Sequence, residues 1–405
     1  MMDALSLENK YNLKELELNA LLEITQAINN NLPEKSLYKI YDFTIRGNLN
    51  IRKLALYVLD SSWSCKVNYG TQINCYETPL DESFCNYRKV TSIEGRKDVF
   101  GEFDYVIPVA HKGNILALVF VGDIQVDSEE MKDSSTRFIQ ALSNIIIVAI
   151  ENKKLSRQQL EQDAFRKELV NASDVQLFLF PEELPYTANL KVEASYLPHD
   201  RVGGDYYDYI PINKNQFLIC IADVSGKGIP AALMMSNFQA SLRTLVRQTP
   251  NLQEIIEELN YQVLENAKGE KFITFFAGIY DHQLRTLVYV NSGHNPPILI
   301  NKGELILLEE GSTVLGAMHP LPFLNEGFIT DLDEFLLFSY TDGVTETENE
   351  DNEEFGLEKL TDYFSTSEKS DLKKIHQDII IKLDDFKGRN GYKDDITMLS
   401  CKVEL

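Results

Sequence analysis

Residues 217–228 read Phe-Leu-Ile-Cys-Ile-Ala-Asp-Val-Ser-Gly-Lys-Gly, an apolar run that ends in an aspartate and a glycine-rich turn. A short apolar run followed by a turn is typical of a buried strand, so the side chain of Asp223 is predicted to emerge at the end of a sheet. Residues 229–246 follow with apolar side chains at helical spacing. A strand, a turn and a helix in succession predict a layered α+β domain.

Three more aspartates lie beside similar segments. Asp205 follows a pair of glycines, Asp342 follows the apolar run 335–340, and Asp394 precedes the strand-like run 396–403. A single aspartate beside a glycine is common in turns. Four of them at converging strand ends would form an acidic cluster that is unstable without cations. Carboxylate oxygens are suited to Mg²⁺ or Mn²⁺, so a divalent metal centre that activates water against a phosphate ester is predicted.

The composition restricts the partners and the compartment. The chain has 405 residues, with 62 acidic against 39 basic residues and a formal net charge of −23. Such a field repels nucleic acid and anionic membranes, so neither is expected as a partner. Residues 1–10 lack a basic region followed by an apolar one, so no signal peptide is expected, and the longest apolar run, 145–150, is far shorter than the ~20 residues that span a bilayer. Five cysteines without a CxxC pair indicate reduced thiols, and a cytoplasmic protein is expected.

The pattern along the chain predicts two domains and a linker. Residues 1–150 read as helices that bracket a small antiparallel sheet. Residues 151–174 are charged and free of glycine and proline, which predicts a helical linker. Its imperfect apolar seam is compatible with a dimer contact or with a solvated single helix. In residues 175–405 strands are expected at 190–196, 216–223, 272–280, 285–290, 304–308, 335–339 and 396–403, and helices at 229–246, 252–266 and 372–386.

Five motifs carry a resemblance to a known family. They are Gly203-Gly204-Asp205, the segment 223–232, the segment 291–297 (Asn-Ser-Gly-His-Asn-Pro-Pro), Thr341-Asp342-Gly343 and Asp394-Asp395-Ile396-Thr397. In this order they resemble the SpoIIE-type branch of the metal-dependent (PPM) serine/threonine protein phosphatases, over residues 175–405. The resemblance implies a central β-sandwich flanked by helices, with two Mn²⁺ or Mg²⁺ ions at one edge.

The resemblance also implies roles for particular residues. Asp223 would bridge both ions, and Asp342 and Asp394 would complete the shell of one of them. Asp205 and the backbone carbonyl of Val224 would serve the other ion. A water between the ions would attack phosphorus directly, without a phospho-enzyme.

Further residues around these motifs have open roles. Lys227 and Arg201 could steer the substrate phosphate. His294 either shapes its loop by hydrogen bonds, which we favour, or contacts substrate. Ser225 lies where the eukaryotic members of the family carry a histidine that protonates the leaving group. In this chain the proton donor could be either Lys227 or a metal-bound water.

The N-terminal 150 residues resemble a GAF sensory domain in their helix–sheet–helix order. GAF domains bind small ligands or dimerise, so an unknown small ligand and a homodimer are expected. The family resemblance points to a phosphorylated STAS-type anti-anti-sigma factor as substrate, with the N-terminal domain regulating its dephosphorylation. Two alternatives remain: a catalytically dead phosphatase fold that acts by binding, and a nucleotidyl cyclase. Against the cyclase, Tyr206-Tyr207 follows Gly203-Gly204-Asp205 where cyclases have Glu-Phe.

Overall fold

The computed structural model describes residues 2–48, 51–80, 82–125, 129–366 and 371–404. The chain forms two compact units, Met1–Asp163 and Ala164–Leu405. Their division falls inside the segment 151–174, for which a helical linker is predicted. None of the described helices is both long enough and apolar enough to cross a bilayer.

The first unit is a five-stranded antiparallel sheet with helices, in the strand order β2-β1-β5-β4-β3. Side chains alternate between its two faces, as the period of a strand requires. Leu54 and Leu56 join the helices in one core, whereas Ala55 and Tyr57 face a second core. The strands are β1 (Ile51–Leu59), β2 (Trp63–Tyr69), β3 (Thr91–Ser92), β4 (Tyr105–His111) and β5 (Asn114–Ile124). The helices of this unit are α1 (Met2–Asn29), α2 (Glu34–Asn48) and the first part of α3 (Glu129–Leu177), whose last 14 residues belong to the second unit.

The second core of this unit is built from aromatic rings. The ring of Phe120 lies 4.8 Å from that of Phe100, 4.9 Å from that of Phe84 and 5.8 Å from that of Tyr57, measured between centroids. The hydroxyl of Tyr57 shares its one proton between the carbonyls of Cys75 and Thr78, each at 3.0 Å. Edge-to-face contacts at these distances are favourable beyond the apolar area that they bury.

The second unit is a β-sandwich. One sheet has the order β13-β10-β9-β8-β7, with β14 paired to β10, and the other has the order β12-β11-β15-β16-β6. The strands of the first sheet are β7 (Tyr206–Pro211), β8 (Gln216–Val224), β9 (Ile273–Asp281), β10 (Thr286–Ser292), β13 (Gly311–Ser312) and β14 (Gly327–Ile329). Those of the second are β6 (Leu190–Leu197), β11 (Ile298–Asn301), β12 (Glu304–Leu307), β15 (Glu334–Tyr340) and β16 (Ile396–Glu404).

Strand β8 is buried on both faces, which explains its unbroken apolar sequence. Phe217, Ile219 and Ile221 face the core between the two sheets. Leu218 and Cys220 face the helices outside the first sheet. The sequence pattern of 217–222 therefore reflects a central strand with a packed layer on each side.

Helices cover both outer faces of the sandwich. Helices α4 (Ile229–Gln248) and α5 (Leu252–Ala267) pack on the first sheet. Helices α7 (Gly356–Thr366) and α8 (Leu372–Lys387) pack on the second, and the short helix α6 is Asp342–Thr345. The prediction of an α+β protein with a C-terminal sandwich flanked by helices is confirmed. Helix α7 has no counterpart among the predicted elements.

Candidate active site

The four predicted aspartates lie at strand ends that meet at one edge of the sandwich. Asp223 is the penultimate residue of β8 in the first sheet, and Asp205 immediately precedes β7. Because Tyr206 pairs with Ala222, Asp205 comes alongside Asp223. Asp342 begins α6 just after β15, and Asp394 lies two residues before β16 in the second sheet. Both sheets thus contribute carboxylates to one acidic centre.

The electrostatics of these carboxylates reflect their proximity. Burial, followed by the charges of Asp342, Asp394 and Asp395, raises the pKa of Asp223 from 3.8 to about 7, against a hydrogen bond from Asp205. Burial and then the charge of Asp223 raise the pKa of Asp205 well above its usual range. Burial and Asp394 also raise the pKa of Asp342. Like charges in a desolvated site disfavour ionisation, so the centre favours binding of a cation.

Two threonines of the second sheet hold Asp205. Its carboxylate accepts a hydrogen bond from the hydroxyl of Thr341 at 2.8 Å and another from the hydroxyl of Thr397. All three side chains are buried. The backbone N–H of Thr397 in turn donates to the hydroxyl of Thr341 at 3.0 Å. These bonds fix the orientation of a carboxylate on the first sheet by donors on the second.

Asp395, which was not among the predicted site residues, ties the surrounding turns together. Its carboxylate accepts hydrogen bonds from the backbone N–H groups of His199 at 2.7 Å and Gly204 at 3.0 Å. A Cβ at Gly203 would lie 2.1 Å from this carboxylate, and a Cβ at Gly343 would lie 2.0 Å from the carbonyl oxygen of Asp395. Only glycine permits such close approach. The glycines beside Asp205 and Asp342 therefore allow both turns to pack on the start of β16.

Lys227 makes a direct ion pair within the centre. Its Nζ lies 2.6 Å from Oδ2 of Asp394, and it also donates a hydrogen bond to the carbonyl of Lys393. Among the residues that the structure describes, no group of three or more His, Cys, Asp and Glu side chains has the arrangement of a formed metal site. Both threonines donate to Oδ2 of Asp205 and leave its Oδ1 for a cation, whereas Asp394 would have to release Lys227 to share an ion.

The two other predicted substrate contacts lie in different surroundings. Arg201 is exposed in the turn before Gly203. His294 is buried; its Nδ1 is 2.8 Å from the hydroxyl of Thr274, which pairs across the ladder with Asp223. Burial lowers the pKa of His294 to about 4, so the ring is neutral. His294 thus lies in the interior beside the strand end that carries Asp223, and a contact of its side chain with substrate stays a prediction.

A buried ion pair supports β7 just beyond Asp205. The carboxylate of Asp208 is fully buried and accepts hydrogen bonds from Arg243 of α4 at 2.7 and 3.1 Å. The hydroxyl of Tyr206 and the N–H of Tyr209 also donate to it. The spacing of Asp205 and Asp208 was visible in the sequence, but nothing there indicated that Arg243 is the partner.

Comparison with known proteins identifies the second unit. The family described as Stage II sporulation protein E (SpoIIE) matches residues 213–404. Phosphoserine phosphatase RsbU of Bacillus subtilis (strain 168) is 31% identical over 249 residues, which are 60% of this chain and 72% of RsbU. The chain belongs to the SpoIIE family of PPM-type protein phosphatases. The residues matched to the SpoIIE family include Asp223, Asp342 and Asp394.

Two further similarities agree with the SpoIIE family. Protein IcfG of Synechocystis sp. (strain ATCC 27184 / PCC 6803 / Kazusa) is 27% identical over 327 residues, which are 73% of this chain and 51% of IcfG. The structure of the SiaA-PP2C domain of Pseudomonas aeruginosa covers 60% of this chain and 98% of that domain, with a TM-score of 0.53 and 19% identity. The latter similarity shows that the SpoIIE-family unit has the PP2C fold.

Proposed function

We propose that this chain is a metal-dependent serine/threonine phosphatase that hydrolyses phosphoserine or phosphothreonine on a signalling protein. The observation that carries the proposal is the gathering of Asp205, Asp223, Asp342 and Asp394 from both sheets into one desolvated acidic centre. A phosphatase that uses a cysteine or histidine nucleophile would not need four such carboxylates.

The donor set has the chemistry for two divalent cations, Mn²⁺ or Mg²⁺. Hard carboxylate oxygens suit these ions, and a bound cation would relieve the repulsion among the buried carboxylates of Asp205, Asp223 and their neighbours. Asp223, Asp342 and Asp394 would hold one ion, and Asp223, Asp205 and the carbonyl of Val224 the other. When bound, such ions supply charge neutralisation and a water of lowered pKa for attack on phosphorus.

Other residues of the chain would prepare the centre and receive the substrate. Thr341 and Thr397 orient Asp205, and Asp395 holds the turn that carries it. Lys227 and Arg201 have exposed side chains at the rim, from which they can attract a phosphate dianion. Lys227 or a water would protonate the leaving serine oxygen.

The substrate that we propose is a phosphorylated STAS-type regulator. Support comes from the relative RsbU, whose name describes it as a phosphoserine phosphatase. The N-terminal unit, with its antiparallel sheet between helices, would act as a GAF-like sensor. It would regulate the phosphatase within a homodimer, with or without a small ligand.

A phosphate-release assay tests this function. The purified chain is incubated with a phosphorylated STAS protein and with Mn²⁺, Mg²⁺ or chelator. We expect release with either ion and none with chelator. Release that continues undiminished in chelator, or in an Asp223→Asn variant, would contradict the proposal.

A further inference from the structure

The turn Gly203-Gly204-Asp205 is held from two sides. On one side Asp395 binds the N–H of Gly204, as described above. On the other side lies Gln176, which belongs to the last turn of α3. The side-chain amide of Gln176 donates a hydrogen bond to the carbonyl of Gly203 at 2.7 Å and accepts one from its N–H at 3.2 Å.

These two bonds are buried and specific. Only 6% of Gln176 is exposed, whereas its neighbours Val175 and Leu177 are exposed by more than half. Glutamine is rarely buried without a polar partner. Here one side chain satisfies both backbone groups of the residue two positions before Asp205. Because the side-chain amide of Gln176 binds both the carbonyl and the N–H of Gly203, it fixes the orientation of Gly203 as well as its distance from α3.

Phe180, just beyond α3, provides independent support around the same turn. Its ring lies 5.0 Å from that of Tyr196, which precedes the turn, and 4.9 Å from that of Tyr207, which follows it. The carbonyl of Leu179 accepts a hydrogen bond from Gln239 of α4 at 3.2 Å. The end of α3 and the residues after it thus contact the chain on both sides of Asp205.

We propose that Gln176 is a positioning residue for Asp205, coupling the end of α3 to the acidic centre. The inference rests on the proposed metal-dependent function, in which Asp205 serves one ion. Gln176 and Gly203 are joined by two hydrogen bonds, at 2.7 and 3.2 Å. If the end of α3 moved by about 1 Å relative to Gly203, the two bonds would not both persist. A displacement of the α3 end would therefore either carry Gly203 along or release it, and both outcomes change the position of Asp205.

The test compares four forms of the full chain: the wild type, Gln176→Ala, Gln176→Met and the control Gln162→Ala. The methionine retains the length of the side chain without a charge, but it cannot donate to the carbonyl of Gly203 and is at most a weak acceptor for its N–H. Gln162 is an exposed glutamine on the same helix. Hydrogen exchange of residues 198–206 is measured without metal, Mn²⁺ affinity by calorimetry, and kcat and KM on the phosphoprotein.

In Gln176→Ala we expect faster exchange in residues 198–206 and about tenfold weaker Mn²⁺ binding, as for other residues that support metal ligands. We expect kcat to fall by a larger factor than KM rises, because Asp205 is the proposed metal ligand of this turn, whereas Arg201 is only one of two groups proposed to attract the phosphate. Gln176→Met should match Gln176→Ala in exchange and Mn²⁺ affinity while it retains more of the packing, so it carries the comparison if the alanine variant does not fold. Gln162→Ala should match the wild type in all measurements.

A folded Gln176→Ala variant with wild-type Mn²⁺ affinity and kcat would overturn the inference, even if its melting temperature were lower, since Gln176 would then be only structural. A wild type that binds no Mn²⁺ and releases no phosphate would instead overturn the proposed function. The hydrogen-exchange data distinguish these two failures. They are collected without metal, so they report whether Gln176 holds the turn even if the protein has no catalytic activity.

Discussion

At the scale of single residues, the acidic centre depends on hydrogen-bond donors that accompany each carboxylate. Asp205 is fully buried, and the hydroxyls of Thr341 and Thr397 face the same oxygen of its carboxylate. Burying a carboxylate is strongly unfavourable unless such donors or a cation are present. The threonines therefore contribute to stability before any ion binds.

Removing one donor tests this contribution. We expect Thr397→Val to lower the free energy of unfolding of the metal-free protein by about 1–3 kcal/mol, because a buried acceptor loses a partner. Thr397→Ser retains the hydroxyl and should lose much less. Denaturant unfolding in chelator measures both, and equal losses in the two variants would show that the methyl group matters rather than the hydrogen bond.

Replacing Asp223 separates catalysis from folding. Asp223→Asn removes a charge from a centre where carboxylates repel one another, so the metal-free protein should be at least as stable as the wild type. Its Mn²⁺-dependent phosphate release should fall by about 10²-fold or more. Thermal melting in chelator and steady-state assays measure the two effects. A stable variant with wild-type turnover would exclude Asp223 from the reaction.

The sequence predicted the acidic residues of the centre better than their partners. Asp205, Asp223, Asp342 and Asp394 could be recognised because glycines and strand-like runs lie beside them. Thr397 could not be linked to Asp205, since 192 positions separate them and only the pairing of the strands brings them together. The same holds for Gln176, which lies just beyond the charged segment 151–174 and belongs to none of the motifs in the sequence.

At the scale of elements, the pair Arg243–Asp208 connects α4 with β7. Asp208 is fully buried, while about a third of the Arg243 side chain is exposed. The two-point contact of guanidinium and carboxylate fixes the helix against the strand that follows Asp205. The loss of Arg243 would leave a buried carboxylate without its counter-charge.

We expect Arg243→Met to lower the free energy of unfolding by about 2–3 kcal/mol, somewhat less than for a fully buried pair because Arg243 is partly solvated. The double variant Arg243→Met, Asp208→Asn should recover much of this loss. Arg285→Met, which breaks an exposed pair with Asp333 at 2.6 Å, should cost less than about 1 kcal/mol. Denaturant unfolding compares them, and equal losses for both arginines would contradict the role of burial.

Helix α8 contributes a buried histidine that makes stability depend on pH. His376 lies between the hydroxyls of Ser195 at 2.9 Å and Ser400 at 2.8 Å. Burial lowers its pKa from 6.5 to about 4. The unfolded chain therefore binds a proton at a pH where the folded chain does not, so this contribution is complete above pH 6.5 and is lost as the pH falls toward 4.

The variant His376→Gln should lose this pH dependence. Between pH 6.5 and 4 the wild type should lose up to about 3 kcal/mol more stability than the variant. Unfolding free energies measured across that range give the difference between the two curves. Parallel curves would mean that His376 does not titrate on unfolding.

The regular elements were predictable where one pattern dominated. The strand expected at 216–223 is β8 at Gln216–Val224, and the helix expected at 372–386 is α8 at Leu372–Lys387. Helix α7 was missed because it has only 11 residues and directly follows the acidic run 346–354, where no apolar pattern leads into it. The order of strands in the sheets could not be predicted, because it depends on contacts between distant segments.

At the scale of the whole molecule, the two units have separate cores. Metal binding stabilises only the folded state of the unit that binds it, by about 2.7 kcal/mol at a hundredfold excess over Kd. We expect two calorimetric transitions in chelator, of which Mn²⁺ raises only one. If Mn²⁺ no longer raises this transition temperature in the Asp223→Asn variant, the transition belongs to the phosphatase unit. A single transition whose temperature rises with Mn²⁺ would instead show that the two units unfold together.

The homodimer stays a prediction. Exposed apolar side chains occur along α3 at Leu155, Leu160, Phe165, Val170 and Val175. A step of five residues advances about 140° around a helix, so these side chains do not share one face. They therefore do not form the seam of a regular coiled coil.

The aromatic layer on the N-terminal sheet bears on how a signal could enter that unit. A receptor that encloses a small molecule keeps a space for it, but the rings of Tyr57, Phe84, Phe100 and Phe120 are already in mutual contact. A guest at this location would have to separate rings that stabilise one another. We therefore expect any small ligand of this unit to bind away from this aromatic layer.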